Sequence, residues 1–173
     1  MLKAWLGRDS EPGTPIKRLE LGEISAEEFD PLLAAELRTL IGEPVETGGL
    51  VSRLFAETRP DEAMWRLVTD LRACGIRVGI LSNSWGGDYL YDRFAAAFDT
   101  VVISGEVGLR KPDAAIYELA LRQLGLQAGA VAFVDDAKPN VLGAAKVGMH
   151  GIHHLDAAQT RTEFCALVRG LDE

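Results

Sequence analysis

Two adjacent carboxylates, Asp135 and Asp136, close the apolar run of VAFVDDAKPN (131–140). Like charges on neighbouring residues raise each other's pKa unless a cation sits close by. Mg²⁺, a hard cation that takes oxygen ligands and keeps several of its waters, suits such a pair. A second stretch, LSNS (81–84), also ends an apolar run and offers the Ser82 hydroxyl and the Asn83 amide. A third, GLRKPD (108–113), offers Lys111 and its permanent positive charge. A hydroxyl, free N–H groups and a fixed cation are what hold a phosphoryl group without repelling it. Each piece alone has a plainer reading: Asp136 as a helix cap, SNS as a self-bonded turn, Lys111 as a surface lysine. Only the set of three carries the functional reading.

The elements around these residues predict where they meet. From Ile76 onward the chain alternates short apolar runs (IRVGILSNS, TVVISGEVG, AVAFVDD, HGIHH) with helical patterns (DYLYDRFAAAF, PDAAIYELALRQLG, NVLGAAKVG, RTEFCALVRGL). Four strands separated by crossover helices imply a parallel sheet with helices on both faces. Ligands of such sheets bind at the carboxyl ends of the strands. Ser82, Asn83, Asp135 and Asp136 lie at such ends, and Lys111 lies in a loop just beyond one.

Residues 1–70 read instead as helical. SAEE (25–28) is a capping box, followed by apolar residues from Phe29 to Ile41 at helical spacing, with Pro31 expected to restart the helix. GEPVETGG (42–49) reads as a loop, and PDEAMWRLVTDLRACG as a further helix between Pro60 and Gly75.

The totals narrow the class. The chain has 173 residues, 47% of them apolar, enough for one domain with a real core. A net charge of −8 argues against a nucleic-acid or anionic-membrane surface. Cys74 and Cys165 are far apart and in no metal-binding spacing, so free thiols and a cytoplasmic setting are expected. The longest apolar runs are too short for a membrane span or a secretory signal. His150, His153 and His154 lack matching Cys partners and read as structural rather than zinc ligands.

LSNS, RKPDAAIY and VDDAKPNVLGAAKVGMHGI, in that order, resemble motifs two, three and four of the haloacid dehalogenase-like hydrolases, over roughly residues 60–155. The wording is most similar to the branch holding small-metabolite phosphatases and the amino-terminal phosphatase domain of soluble epoxide hydrolases. That resemblance implies a Rossmann-like α/β core over residues 71–173 and a small helical cap within residues 1–70. It implies a Mg²⁺-dependent phosphatase of small phosphorylated metabolites. Ser82 and Asn83 would bind phosphate, Lys111 would neutralise charge beside Ser82 in the catalytic set, and Asp136 would contact the metal with Asp135 in support, since Asn140 follows at the family's spacing.

One part of the family pattern is missing. Its first motif, Asp-x-Asp at the end of the central strand, supplies the attacking carboxylate and the acid–base group; no Asp-x-Asp occurs in this sequence. The strand between those bearing Ser82 and Asp135 is then expected to be absent too, leaving a slot for a partner strand or a second copy of the chain. A minor reading places LKAWL (2–6) there, with Arg8 and Asp9 near its end. Three rival functions follow: a non-catalytic binding protein that keeps the sheet, a metal-free 2-haloacid dehalogenase, and a signalling receiver domain. The receiver ranks lowest because its acidic pair comes first along the chain.

Overall fold

The computed structural model describes residues 13–85 and 97–168. Its first part is helical, as expected. The Ser25 hydroxyl accepts from the Glu28 N–H at 3.1 Å while the Glu28 carboxylate accepts from the Ser25 N–H at 2.8 Å. This reciprocal cap opens α2 (Ala26–Ile41), which follows the short α1 (Pro15–Glu20). The expected restart at Pro31 does not occur, and α2 runs through it. Proline at this position forfeits the bond that an N–H would have made to the Glu27 carbonyl and crowds that carbonyl with its ring. Burial of Phe29 and Leu33, both without exposed surface, holds the helix on either side.

The loop over 42–49 ends in a helix not foreseen from the sequence, α3 (Leu50–Phe55). Its amino terminus is received by the buried Asp30 carboxylate, which accepts from the N–H groups of Leu50 (2.8 Å) and Val51 (2.9 Å). A charge inside an apolar cluster is tolerable there because two otherwise unsatisfied helix donors bond it. Leu19, Phe29, Leu33, Leu50 and Val51 form the core of this helical part, and Trp85, which follows β1 in sequence, packs against it.

Helix α4 (Glu62–Ala73), capped by Asp61, straddles the expected boundary at residue 70. Its buried Leu67 and Leu71 pack with Ile76, Val78 and Phe164, so α4 shares its core with the strand-bearing part. All four expected strands are present: β1 (Gly79–Ser82), β2 (Thr100–Ile103), β3 (Ala132–Asp135) and β4 (His150–His153). β1 pairs with β2 and β3 with β4, both parallel, in registers Ser82 to Ile103 and Asp135 to His153. The strands make two separate two-stranded sheets among the described residues, not one continuous ladder.

The helices of this part are α5 (Ser104–Val107), α6 (Ala114–Leu124), α7 (Lys138–Lys146) and α8 (Ala157–Leu167). TVVISGEVG, read whole as a strand, divides at Ser104 into β2 and α5. The helix expected through DYLYDRFAAAF falls largely on residues 86–96, outside the described residues, as do LKAWL, Arg8 and Asp9. Val102, Ile116, Tyr117, Phe133, Ala144 and Met149 form the core beneath the strands. No helix among the described residues is long and apolar enough to cross a membrane. Cys74 and Cys165 form no disulfide.

Candidate functional site

The carboxyl ends of β1 and β3 converge on Lys111. Its ammonium donates to the Leu81 carbonyl at 2.8 Å and to Asp135 Oδ2 at 2.6 Å. The lysine and aspartate side chains are only 9% and 7% exposed. The ammonium also stands 5.5 Å from the centre of the Phe133 ring, within cation–π range. Burying an ammonium costs least where a carboxylate and further acceptors replace its lost hydration, and Asp135 and the Leu81 carbonyl do so here.

Asn83 fixes the backbone of that lysine. Its Oδ1 accepts from the Lys111 N–H at 2.9 Å and its Nδ2 donates to the Lys111 carbonyl at 3.0 Å. Both polar groups of the side chain are thereby engaged, so Asn83 positions Lys111, and only its backbone is left to meet a ligand. Ser82, half-buried between Leu81 and Asn83, has no hydrogen bond to its hydroxyl among the described residues. The next residue is anchored by Ser104, whose hydroxyl accepts from the Ser84 N–H at 2.9 Å and donates to the Ser84 carbonyl at 3.0 Å.

Asp135 is equally enclosed. Oδ1 accepts from the Ala137 N–H at 2.7 Å and from Asn140 Nδ2 at 3.0 Å, and Oδ2 receives both Lys111 and Asn140, the latter at 3.1 Å. Asn140 is held in turn by Tyr117, whose hydroxyl donates to its carbonyl at 2.8 Å. Burial first, and then the charges of Asp135 and Asp113, push the Tyr117 phenol well above its ordinary value. Helix α7 approaches closely because residue 143 is glycine: a Cβ there would lie 2.7 Å from the Pro112 carbonyl oxygen and 2.9 Å from the Tyr117 hydroxyl.

Asp136 is exposed beside this cluster, and its carbonyl faces His153 Nε2 at 3.2 Å. Neither aspartate side chain caps α7; Asp135 bonds the N–H of Ala137, the residue just before the helix. The structure therefore gathers Ser82, Asn83, Lys111 and Asp135 at one sheet edge with Asp136 at its rim. The three histidines are spent on local bonds, His150 to the Gly129 carbonyl and His154 to Thr160. No group of three or more His, Cys, Asp or Glu side chains able to hold a metal occurs among the described residues.

Sequence reasoning missed Ser104 and Tyr117. A serine directly after an apolar strand is a signal for Ser104, whereas nothing local marks Tyr117. The site also touches the helical part: Arg110, next to Lys111, is paired through Nε (3.2 Å) and Nη2 (2.7 Å) with Glu20 Oε2, both side chains mostly buried.

Comparison with known proteins gives the chain's family and fold. A sesquiterpene phosphatase of Aspergillus oryzae is 34% identical over 141 residues, covering 77% of this chain and 70% of that protein. A glyceraldehyde 3-phosphate phosphatase of Methanothermobacter thermautotrophicus is 34% identical over 104 residues, covering 57% of this chain and 46% of its own length. The fold is shared with a haloacid dehalogenase family enzyme of Bacteroides thetaiotaomicron solved with magnesium and inorganic phosphate, at a TM-score of 0.62, 20% identity, and 80% and 73% coverage of the two chains. Residues 19–148 match the family described as haloacid dehalogenase-like hydrolase, and this α/β chain belongs to it.

Proposed function

We propose that the edge formed by Ser82, Lys111, Asp135 and Asp136 binds the phosphoryl group of a small phosphate monoester together with Mg²⁺, as the binding half of a phosphatase site. The observation that carries this reading is the buried Lys111 ammonium, held between the Leu81 carbonyl and Asp135 at the strand ends, with Ser82 the residue after Leu81. A hydroxyl donor and a compensated cation at strand ends suit an oxyanion. The two phosphatase relatives support the same substrate class.

The donor chemistry fits Mg²⁺ in its usual mode, one or two carboxylates with the remaining positions filled by water and phosphate oxygen. Asp136, exposed at the rim, is the residue that would hold it. Asp135, with both oxygens engaged, supports by fixing Lys111 and Asn140. When bound, the ion supplies charge neutralisation of the phosphoryl oxygens. Ser82 donates to one phosphoryl oxygen, Lys111 lowers the potential for the others, and Asn83 keeps the Lys111 backbone in register.

Turnover through a phospho-aspartate requires a carboxylate nucleophile, and the sequence contains no Asp-x-Asp. That observation favours a second reading: a protein that binds phosphate esters without hydrolysing them. Calorimetric titration of the full chain with inorganic phosphate tests the site. Phosphate should bind only with Mg²⁺ present, about tenfold more weakly in Ser82→Ala and Asp136→Ala, with p-nitrophenyl phosphate released at background rate. Absence of Mg²⁺-linked phosphate binding refutes the site. Robust turnover abolished by Asp136→Ala but retained in Asp9→Asn refutes the account of the missing nucleophile.

A further inference from the structure

The chain has two cysteines, far apart in sequence, and the fold draws them together. Cys74 closes the carboxyl end of α4, where its N–H donates to the Asp70 carbonyl at 3.0 Å, one helical turn back on the same face. Cys165 lies in the last turn of α8, four residues beyond Arg161. Between the two helices, Arg161 Nη1 pairs with Asp70 Oδ2 at 2.6 Å. Each cysteine therefore stands one turn further along its helix than one member of this pair.

The strands decide whether those turns lead the same way. The carboxyl ends of β1 and β3 meet at Lys111, and β4 runs parallel to β3. Helix α4 ends ahead of β1, and α8 begins after β4, so both run back against the strand direction and parallel to each other. Their carboxyl ends share one core, where Ile76, Val78, Phe164, Cys165 and Val168 pack on Leu67 and Leu71. In such a pair, one turn beyond a facing pair is again a facing pair. Helices in contact run about 8–10 Å apart, with Cα atoms about 2.3 Å off each axis. Facing Cα atoms then come within about 7 Å, the span a disulfide bridges. Cys165 is half-buried against the core residues of α4, and Cys74 is exposed.

We propose that Cys74 and Cys165 are a latent disulfide, a redox-sensitive staple between α4 and α8. The oxidant is a low-molecular-weight disulfide, of which glutathione disulfide is the type. The exposed Cys74 thiolate attacks one of its sulfurs, forming a mixed disulfide and expelling one glutathione thiolate. The Cys165 thiolate then attacks Cys74 Sγ, forming the staple and expelling the second. Two electrons pass to the glutathione disulfide, and the two thiol protons end on the two glutathione thiols. Access sets the order, since a tripeptide disulfide reaches Cys74 before Cys165. Because α4 leads into β1 and α8 packs on β4, the staple fastens the start of the strand-bearing part to its end.

The test treats the reduced full chain with glutathione disulfide and follows intact mass, tryptic peptides and urea unfolding. The mass should fall by two hydrogens, with one peptide pair joining Cys74 to Cys165. The urea midpoint should rise by on the order of 1–2 M, because the staple removes a long loop from the unfolded chain, and should return with dithiothreitol. Closure should be at least about tenfold faster in the folded chain than in urea, where the thiols meet only through a flexible loop. Closure no faster folded than unfolded overturns the placement of the two thiols on facing turns. A lasting glutathione adduct on Cys74, dimers linked through it, or no reaction overturns it as well. Cys165→Ser should keep the adduct and show no rise in midpoint, and a rise equal to that of the unsubstituted chain would overturn the staple as its cause.

Discussion

Replacing Asp135 by asparagine isolates the interaction on which the site depends. Size and shape are kept, while the charge facing Lys111 at 2.6 Å is lost. The ammonium remains enclosed, with the Leu81 carbonyl and one amide oxygen as its acceptors. Removing one partner of a buried ion pair costs about 3–5 kcal/mol, because the remaining charge is left uncompensated. Against a total stability of about 5–15 kcal/mol, this is about a fifth or more of what holds the chain folded. With a urea slope near 2 kcal/mol/M, the midpoint should fall by on the order of 2 M. Lys111→Met should cost less, about 1–3 kcal/mol, since Asp135 keeps the Ala137 N–H and Asn140 Nδ2. The double variant should then be more stable than Asp135→Asn alone, with a coupling of about 1–3 kcal/mol. Urea unfolding followed by circular dichroism on the four proteins measures this. Additivity of the two single losses to within about 0.5 kcal/mol would refute the claim that this pair compensates itself.

Two other perturbations have equally definite outcomes. Gly22 has φ 71°, and a Cβ there would collide with the Gly105 carbonyl oxygen, where the helical part meets α5. Gly22→Ala should lose more than about 2 kcal/mol, the left-handed penalty of about 1–2 plus a backbone collision, whereas Gly13→Ala, at φ 81° with open space around it, should lose the penalty alone; equal losses in thermal unfolding would contradict the close approach. Tyr117 keeps its proton in the folded chain at pH values where the unfolded chain releases it, near pH 10. The native state then binds more protons, so this contribution is whole below about pH 10 and is lost as pH rises beyond it. Tyr117→Phe should flatten the alkaline fall of the urea midpoint between about pH 9.5 and 11, and an unchanged slope would count against a buried, neutral phenol.

What the sequence disclosed follows from which signals are local. Each strand was legible because an apolar run stops abruptly at polar residues, and SAEE was legible because a capping box involves four consecutive residues. Ser82, Lys111 and the aspartate pair were legible as residues that belong at strand ends. The division of labour inside the site was not. That the Asn83 side chain closes on the Lys111 backbone 28 positions away was not legible, because the sequence reading concerned only its amide. Helix α3 was hidden because its amino terminus is received by Asp30, a charge that sequence reading assigns to solvent. The gap between β1 and β3 among the described residues was expected from the resemblance, since no Asp-x-Asp strand occurs to lie between them, and not from periodicity, which does not encode strand pairing.

Lys111 shows why site and scaffold are hard to separate here. In an uninterrupted parallel sheet, hydrogen-bond ladders hold neighbouring strands at fixed spacing; between β1 and β3 no ladder runs among the described residues. One ammonium, donating to a β1 carbonyl and to a β3 carboxylate, is the direct polar tie across that gap at its carboxyl end. Its own place is set by Asn83 from the β1 side, while Arg110, one residue earlier, is paired with Glu20 of α1. Anything that draws Lys111 toward a bound anion therefore loosens its grip on Leu81 or Asp135, and the cost is registered in the spacing of the two half-sheets.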